Sequence, residues 1–326
     1  MEFTDFQTGK DDVERRLDKV LRIMIPQLSL PEIYKSLRKG LIKVNGKARP
    51  QDYRIAEGDV IGVAKFLLEG KNTPDEQKEA FSLDKVSVTR QINSMRIFEN
   101  EHILVLNKAS GINVHSSVKN QVSLQTLVEF YYDNCCKNDS LSFRPGPLHR
   151  IDRFTSGIVC FSKSNTCATW FTDLMKDHKI QKNYAAIVTG KVLQQETWED
   201  YLQKEEEDKS FYTVKVYSKD DPERPKDSKA CKTTIIPVKS FEYKKNPLTF
   251  CYFDIETGRQ HQIRAQSAFH GHALWGDTAY GAAKITENNG SFYLCAYSLK
   301  LPENDLGIPQ ELKIELPDCF IKLVGV

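Results

Sequence analysis

The chain has 326 residues, 40% of them hydrophobic and 28% charged, with a formal net charge of +2. This length is a prior for two domains, and the composition is that of an ordinary globular protein able to bury at least one full core. So small a net charge identifies no partner, so charge must be read locally. The start, Met1-Glu2-Phe3-Thr4-Asp5, lacks the basic-then-apolar pattern of a secretory signal, and no stretch approaches the roughly 18 apolar residues of a membrane span. The eight cysteines are scattered without a framework or a Cys-x-x-Cys. They read as reduced thiols of a cytoplasmic protein, with no metal site at Cys135-Cys136.

Leu17, Val20, Leu21 and Met24 fall at helical spacing and give one apolar face, which Pro26 ends. Ser29, Pro31 and Glu32 then form a helix start with a capping box, Ile33 and Leu37 supply the stripe, and Gly40 closes the helix. A strand is expected at Leu41-Ile42-Lys43-Val44, a tight turn at Asn45-Gly46 and another at Glu57-Gly58-Asp59. Residues 13–62 carry eleven Lys/Arg against six Asp/Glu, with Arg15, Arg16, Lys19, Arg22, Lys35, Arg38 and Lys39 on or beside the two helices. A compact module with that excess suits phosphate, although a solvated basic face is an equal reading of the charge alone.

Residues 68–90 are polar, with few core formers, and are expected to be a linker. Beyond them, Ile103-Leu104-Val105-Leu106, Ile158-Val159-Cys160-Phe161 and Tyr184-Ala185-Ala186-Ile187-Val188 read as strands, and Ala168 to Met175 as helix. Strands dominate without regular strand–helix alternation, which favours an α+β class over a doubly wound parallel one. The charged, turn-rich stretch Glu205 to Lys229 is expected to be a surface hairpin or loop excursion.

Three segments could carry chemistry. In Leu148-His149-Arg150-Ile151-Asp152-Arg153-Phe154-Thr155-Ser156-Gly157, Asp152 sits between two guanidinium groups just before a strand. Those cations favour an ionised carboxylate and suit an anionic polymer, and such a group acts as nucleophile or base without a cofactor. Tyr184 opens the strand of the second segment and could stack on a base or use its hydroxyl; a core tyrosine is the plainer reading. The third, Glu256-Thr257-Gly258-Arg259-Gln260-His261-Gln262-Ile263-Arg264, clusters polar side chains and is followed by Gly276-Asp277-Thr278-Ala279-Tyr280-Gly281. His270-Gly271-His272 has no third ligand spaced for a metal, and a loop or helix-end role is expected.

Together these segments resemble, in order, the His-Arg-Leu-Asp-Arg-x-Thr-Ser-Gly, Lys-x-Tyr-x-Ala and Gly-Arg-x-His-Gln-Ile/Leu-Arg boxes of the RluA-type pseudouridine synthases, over roughly Arg96 to Tyr297. The N-terminal pattern Arg16-Leu17-Asp18-Lys19-Val20-Leu21, Leu28-Ser29, Arg38-Lys39-Gly40, Val44-Asn45-Gly46-Lys47 and Gly58-Asp59-Val60-Ile61 resembles the RNA-binding domain named after the fourth small-subunit ribosomal protein. Ile151, Ala109 and Ala273 depart from the family pattern at packing or loop positions.

The resemblance implies an α+β catalytic domain at 91–326, with a mixed, mainly antiparallel sheet and flanking helices, behind a small α+β RNA-binding domain at 1–67 and a linker at 68–90. It implies isomerisation of a uridine within RNA, ribosomal RNA first and transfer RNA second, by a monomer that needs no metal or organic cofactor. Flipping is required because the reacting atoms are shielded in a stacked helix. Asp152 matches the essential carboxylate, Tyr184 the tyrosine against the base, and Arg264 the arginine paired with the aspartate. Arg150 matches the residue that fills the gap left by the flipped nucleotide. Arg153, Arg259, His261, Arg15, Arg16, Lys19, Arg38 and Lys39 are the other expected RNA contacts. Attack of Asp152 at C1′, attack on the base and removal of a ribose proton all fit as first steps. A non-catalytic RNA-binding protein and a nucleoside-bond hydrolase are the rival readings. The first would be favoured by loss of Asp152, Tyr184 or Arg264, all of which are present; the second lacks a second carboxylate at glycosidase distance.

Overall fold

The computed structural model describes residues 1–69, 83–116, 121–136, 140–208 and 211–325. The chain forms two compact units, one made of Met1–Asn93, Ser116–Gly146 and Ser162–Ala168, the other of Ser94–His115, Pro147–Phe161 and Thr169–Val326.

The first unit opens with β1 (Phe3–Gln7), α1 (Leu17–Met24), α2 (Leu30–Arg38), β2 (Ile42–Val44), β3 (Val60–Ala64) and α3 (Lys65–Leu68). The strands form an antiparallel sheet in the order β1-β3-β2. The apolar stripes of α1 and α2 (Leu17, Val20, Leu21, Ile33 and Leu37) pack with Ile42, Val44, Ile61 and Val63 into one buried cluster. The capping box forms as expected, with the Ser29 N–H donating to Glu32 Oε2 at 2.9 Å. Asn45 and Gly46 both adopt the left-handed conformation of the expected turn.

Residues 70–82, most of the expected linker, lie outside the described residues. Residues 85–90, read as linker, instead begin α4 (Lys85–Met95), which buries Val88, Ile92 and Met95. These recur at i, i+4 and i+7, an apolar row thin enough to be masked by its polar neighbours. Further along, α5 (Leu124–Cys135) belongs to the same unit. The buried Asp12 carboxylate accepts N–H bonds from Gly9, Leu141 and Ser142 and hydroxyl bonds from Ser140 and Ser142. A buried carboxylate needs several donors to replace water, and here they come from opposite ends of the unit's sequence.

The remaining elements are β4 (Arg96–Glu99), β5 (Ile103–Lys108), β6 (Gly146–Pro147), β7 (Ser156–Ser162), α6 (Asn165–Lys176), β8 (Gln181–Thr189), β9 (Glu196–Asp208), β10 (Phe211–Tyr217), β11 (Lys229–Tyr243), β12 (Asn246–Ile255), α7 (Gln262–Phe269), β13 (Leu294–Lys300), β14 (Glu311–Lys313) and α8 (Asp318–Val324). Among the described residues they build a sheet whose path runs β10-β9-β11-β12-β8-β13-β7-β5-β4. The pairs within β8–β14 are antiparallel, while β7 lies parallel to β13. The α+β class and the mixed, mainly antiparallel sheet expected from the sequence are both present. The charged stretch 205–229 supplies the tip of the β9–β10 hairpin and the loop after it, with 209–210 outside the described residues.

The parallel step β7–β13 sets the loop that carries Asp152. Gly157 pairs with Ala296 at φ +112°, and a Cβ there would lie 2.3 Å from the Ala296 carbonyl oxygen. Only glycine allows that backbone approach, so the chain just after Asp152 is held hard against the sheet centre. All eight cysteines are unpaired in this structure, five of them buried. No helix among the described residues is long and apolar enough to cross a membrane.

Candidate active site

Asp152 lies on the turn that leads into β7, its carbonyl accepting the Thr155 N–H at 3.1 Å. The turn is braced from below. Lys108, fully buried at the end of β5, donates its ammonium to the carbonyls of Ala109 and Arg153, each at 3.0 Å. Gly111 N–H and Ser110 Oγ reach the carbonyls of Arg153 and Phe154. Burial brings the Lys108 pKa down to about 7, against the opposing pull of Asp152. On the other side of Asp152, His149 accepts the Cys160 N–H at Nε2 (3.2 Å) and stacks on Phe171. Burial lowers its pKa to about 4, so His149 is a neutral acceptor that pins the loop to β7.

Arg264 comes from the first turn of α7. Its Nε and Nη2 make a two-pronged contact with the buried carboxylate of Asp277, at 2.7 and 2.9 Å. The third nitrogen, Nη1, lies 3.4 Å from Asp152 Oδ2. The guanidinium lies over the rings of Phe292 (4.4 Å) and Tyr280 (5.0 Å). Burial opposes its charge, but the bonds to Asp277 and the neighbouring Asp152 outweigh that and raise its pKa. A planar fork fixed by one carboxylate presents its remaining edge in a defined direction to the other.

His261, the residue before α7, is left-handed at φ +54°. Its Nε2 is 3.8 Å from Asp152 Oδ2, and its Nδ1 is 2.9 Å from Tyr280 Oη. A non-glycine residue in this conformation stores strain that its surroundings must hold. Gln262 does part of that. It bonds Thr257 Oγ1, the Arg259 N–H, the Lys232 carbonyl and Thr233 Oγ1, stitching the turn to β11.

Tyr184 sits on β8 opposite Phe253 of β12 and Ala296 of β13, at the centre of the sheet. Burial first, and Asp152 second, push its phenol pKa up, so it stays protonated. Two cavities meet at Asp152. One of about 330 Å³ is lined by Arg150, Phe154, His261, Arg264 and Asp277 among others; one of about 60 Å³ includes Tyr184 and Arg259.

Three sequence-selected residues, Asp152, Tyr184 and Arg264, thus surround one opening, with His261 beside them and exposed Arg150, Arg153 and Arg259 at the rim. Arg259 Nε also donates to the Ala230 carbonyl, and Arg153 lies over the Phe154 ring. The other expected RNA contacts belong to the first unit. There Arg15 donates to the Ser142 carbonyl and Arg16 pairs with Asp18, while Lys19, Arg38 and Lys39 are exposed. Sequence reasoning gave no role to Lys108, Asp277, Tyr280 or Phe292. Asp277 and Tyr280 lie in a segment already singled out; their pairing with α7 is what reveals them. His270 stacks on Trp198 and bonds the buried Asp200, and His272 meets the Thr189 carbonyl, both packing roles. Among the described residues no group of three or more His, Cys, Asp or Glu is placed to hold a metal.

Comparison with known proteins identifies the family. The RNA pseudouridylate synthase family model matches residues 102–269, and the S4 domain model matches residues 15–61. The chain is 26% identical to the ribosomal large subunit pseudouridine synthase C of Rickettsia bellii, over 96% of this chain and 98% of that protein. It is 27% identical to the protein of the same name from Vibrio vulnificus, over 97% and 93%. The solved structure of human RNA pseudouridylate synthase domain containing 4 superposes with a TM-score of 0.56 at 16% identity, covering 73% of this chain and 94% of that one. With its family boxes gathered at one opening and half its length matched, the chain belongs to the RNA pseudouridylate synthases, isomerases that act on RNA, and it carries an S4 domain near its N-terminus.

Proposed function

We propose that this protein isomerises specific uridines in structured large-subunit ribosomal RNA, with Asp152 as the catalytic carboxylate. The observation that carries the reading is the Asp152–Arg264–Asp277 chain: a partly exposed carboxylate at a cavity mouth, faced at 3.4 Å by a guanidinium that a second, buried carboxylate holds rigid. Such a pre-set group suits attack on, or proton removal from, a nucleotide turned out of its helix. Tyr184 offers a flat ring on the far wall. Its raised phenol pKa makes it a protonated partner for the base, and removal of the C5 proton then needs a water or another base beside it. Arg150 is the side chain assigned to the space the nucleotide leaves. Arg153 and Arg259 at the opening, and Lys19, Arg38, Lys39, Arg15 and Arg16 in the first unit, are assigned to phosphate, and His261 beside Asp152 to the RNA nucleotide held there. The names of the full-length relatives support ribosomal RNA as the substrate.

The domains on this reading are an RNA-binding segment at 1–67 and a catalytic segment at 91–326. The test is Asp152→Asn, which keeps the shape and removes the charge. Pseudouridine formation should fall by at least about 10³-fold while RNA affinity changes less than about threefold. An Asn variant with wild-type turnover overturns the assignment. Mapping pseudouridine in total RNA with and without the protein identifies the site.

A further inference from the structure

The charged hairpin β9–β10 reaches the opening at Asp152 through a backbone bond and an apolar contact. Among the described residues, strand β10 is the edge of the large sheet and pairs only with β9. Half of an edge strand's N–H groups point away from its neighbour. The outward N–H of Val214 donates to Tyr280 Oη at 3.0 Å. The Val214 side chain packs in a cluster with Leu202, Val216 and Ala265 of α7, against which Tyr280 also lies. The hairpin therefore seats on the catalytic helix and fixes the Tyr280 hydroxyl at the same place.

That hydroxyl has one hydrogen of its own to give. With Val214 already donating to the oxygen, the acceptor in reach is His261 Nδ1, 2.9 Å away. A proton received at Nδ1 by hydrogen bond leaves the ring's own proton on Nε2, the nitrogen that faces Asp152 at 3.8 Å. We propose that Tyr280 is a positioning residue that holds His261 in its Nε2–H form against Asp152, and that the β9–β10 hairpin holds Tyr280 in that role. His261 then joins Arg264 as a second donor facing the catalytic carboxylate. A bound nucleotide can draw such contacts tighter. The left-handed backbone of His261 fits the role, since strain there persists only where surrounding bonds impose it. The charged groups around the imidazole are Asp152 and Arg150 from the catalytic loop, Arg264 from α7, and Asp277 beside Tyr280. Burial outweighs the two acids and lowers the His261 pKa, which keeps the ring neutral, as a single Nε2–H form requires.

The inference rests on Asp152 as the reacting carboxylate, and its tests separate the two. In the full-length protein labelled with ¹⁵N histidine, the nitrogen shifts of His261 read the tautomer directly. Wild type should show Nε2–H. Tyr280→Phe keeps the ring that packs on His261 and Arg264 but removes the donor. The tautomer should become mixed, and the His261 pKa should rise by about one unit, since the neutral form no longer receives a hydrogen bond. On substrate RNA, kcat should fall about tenfold with KM within about twofold, the pattern expected when an interaction made only in the transition state is removed. Val214→Pro removes the outward N–H that an edge strand can spare, together with the Val214 side chain from its cluster on α7, and should move both readouts the same way by less. A wild-type Nδ1–H form, or a Tyr280→Phe protein with unchanged tautomer and kcat, overturns the inference. If Asp152→Asn stays active while the tautomer shifts as stated, the catalytic reading fails and the positioning bond stands.

Discussion

The Arg264 guanidinium is divided unequally between two carboxylates. Asp277 takes two short bonds and is almost fully buried; Asp152 takes one longer contact and faces the cavity. This division suits the catalytic role proposed for Asp152, because the anchoring bonds hold the arginine in place while its contact to Asp152 stays free to change. Asp277→Asn should therefore act at a distance from the substrate. Breaking a buried pair on one side costs about 3 kcal/mol, so the melting temperature should drop by several degrees. Activity should fall about 10- to 100-fold, because a guanidinium no longer held by two bonds misplaces its third edge. Thermal melts and turnover of the same preparation check both; an unchanged kcat would show that Asp277 serves stability alone.

At the scale of elements, the first unit has exposed cations on two helices, and its fold is tied to residues far along the chain. Asp12 draws its donors from Ser140, Leu141 and Ser142, and Leu141 packs on the α1–α2 core. Deleting residues 1–67 would strip those partners as well as the cations, so a loss of binding would be ambiguous. Neutralising exposed side chains is the cleaner change. The triple variant Lys19→Gln, Arg38→Gln, Lys39→Gln should fold normally and weaken RNA binding. Each cation that neutralises a phosphate in the complex should, once replaced, lower the slope of log affinity against log salt by about 0.7–0.9. A salt titration that superposes on the wild type would remove these residues from the RNA interface. Arg15 and Arg16 are poorer probes, since each already serves a structural partner.

For the whole molecule, the pH dependence of stability follows from groups buried without charge. His149 is kept neutral in the fold, with its pKa brought down to about 4, whereas an exposed histidine protonates near pH 6.5. The unfolded chain thus binds the extra proton in that interval, and stability falls as pH drops from about 6.5 toward about 4. Denaturant midpoints should decline through this window. The decline should be shallower in His149→Gln, which keeps an acceptor for the Cys160 N–H but does not titrate. Equal slopes in the two proteins would place the acid sensitivity elsewhere.

Much of this protein could be read from its order of residues. Leu17, Val20 and Leu21, the Ser29–Glu32 box and the Asn45-Gly46 turn are local signals, set by side-chain spacing and backbone preference, and they appear where expected. Asp152, Tyr184 and Arg264 stood out because their boxes are short and specific. The first half of α4 did not, since its buried row is set by what packs over it. Nor did Asp277, Tyr280 or Lys108 acquire roles in sequence, although two of them sit in a segment already noted. Their roles depend on partners 13, 19 and 45 positions away, at Arg264, His261 and the Arg153 carbonyl. The sequence by itself determined the elements, the fold class and the chemical groups of the site, because those depend on neighbours within a few residues. Only the tertiary structure decided which groups hold Asp152, because burial and hydrogen-bond geometry arise when distant strands and helices close on one another.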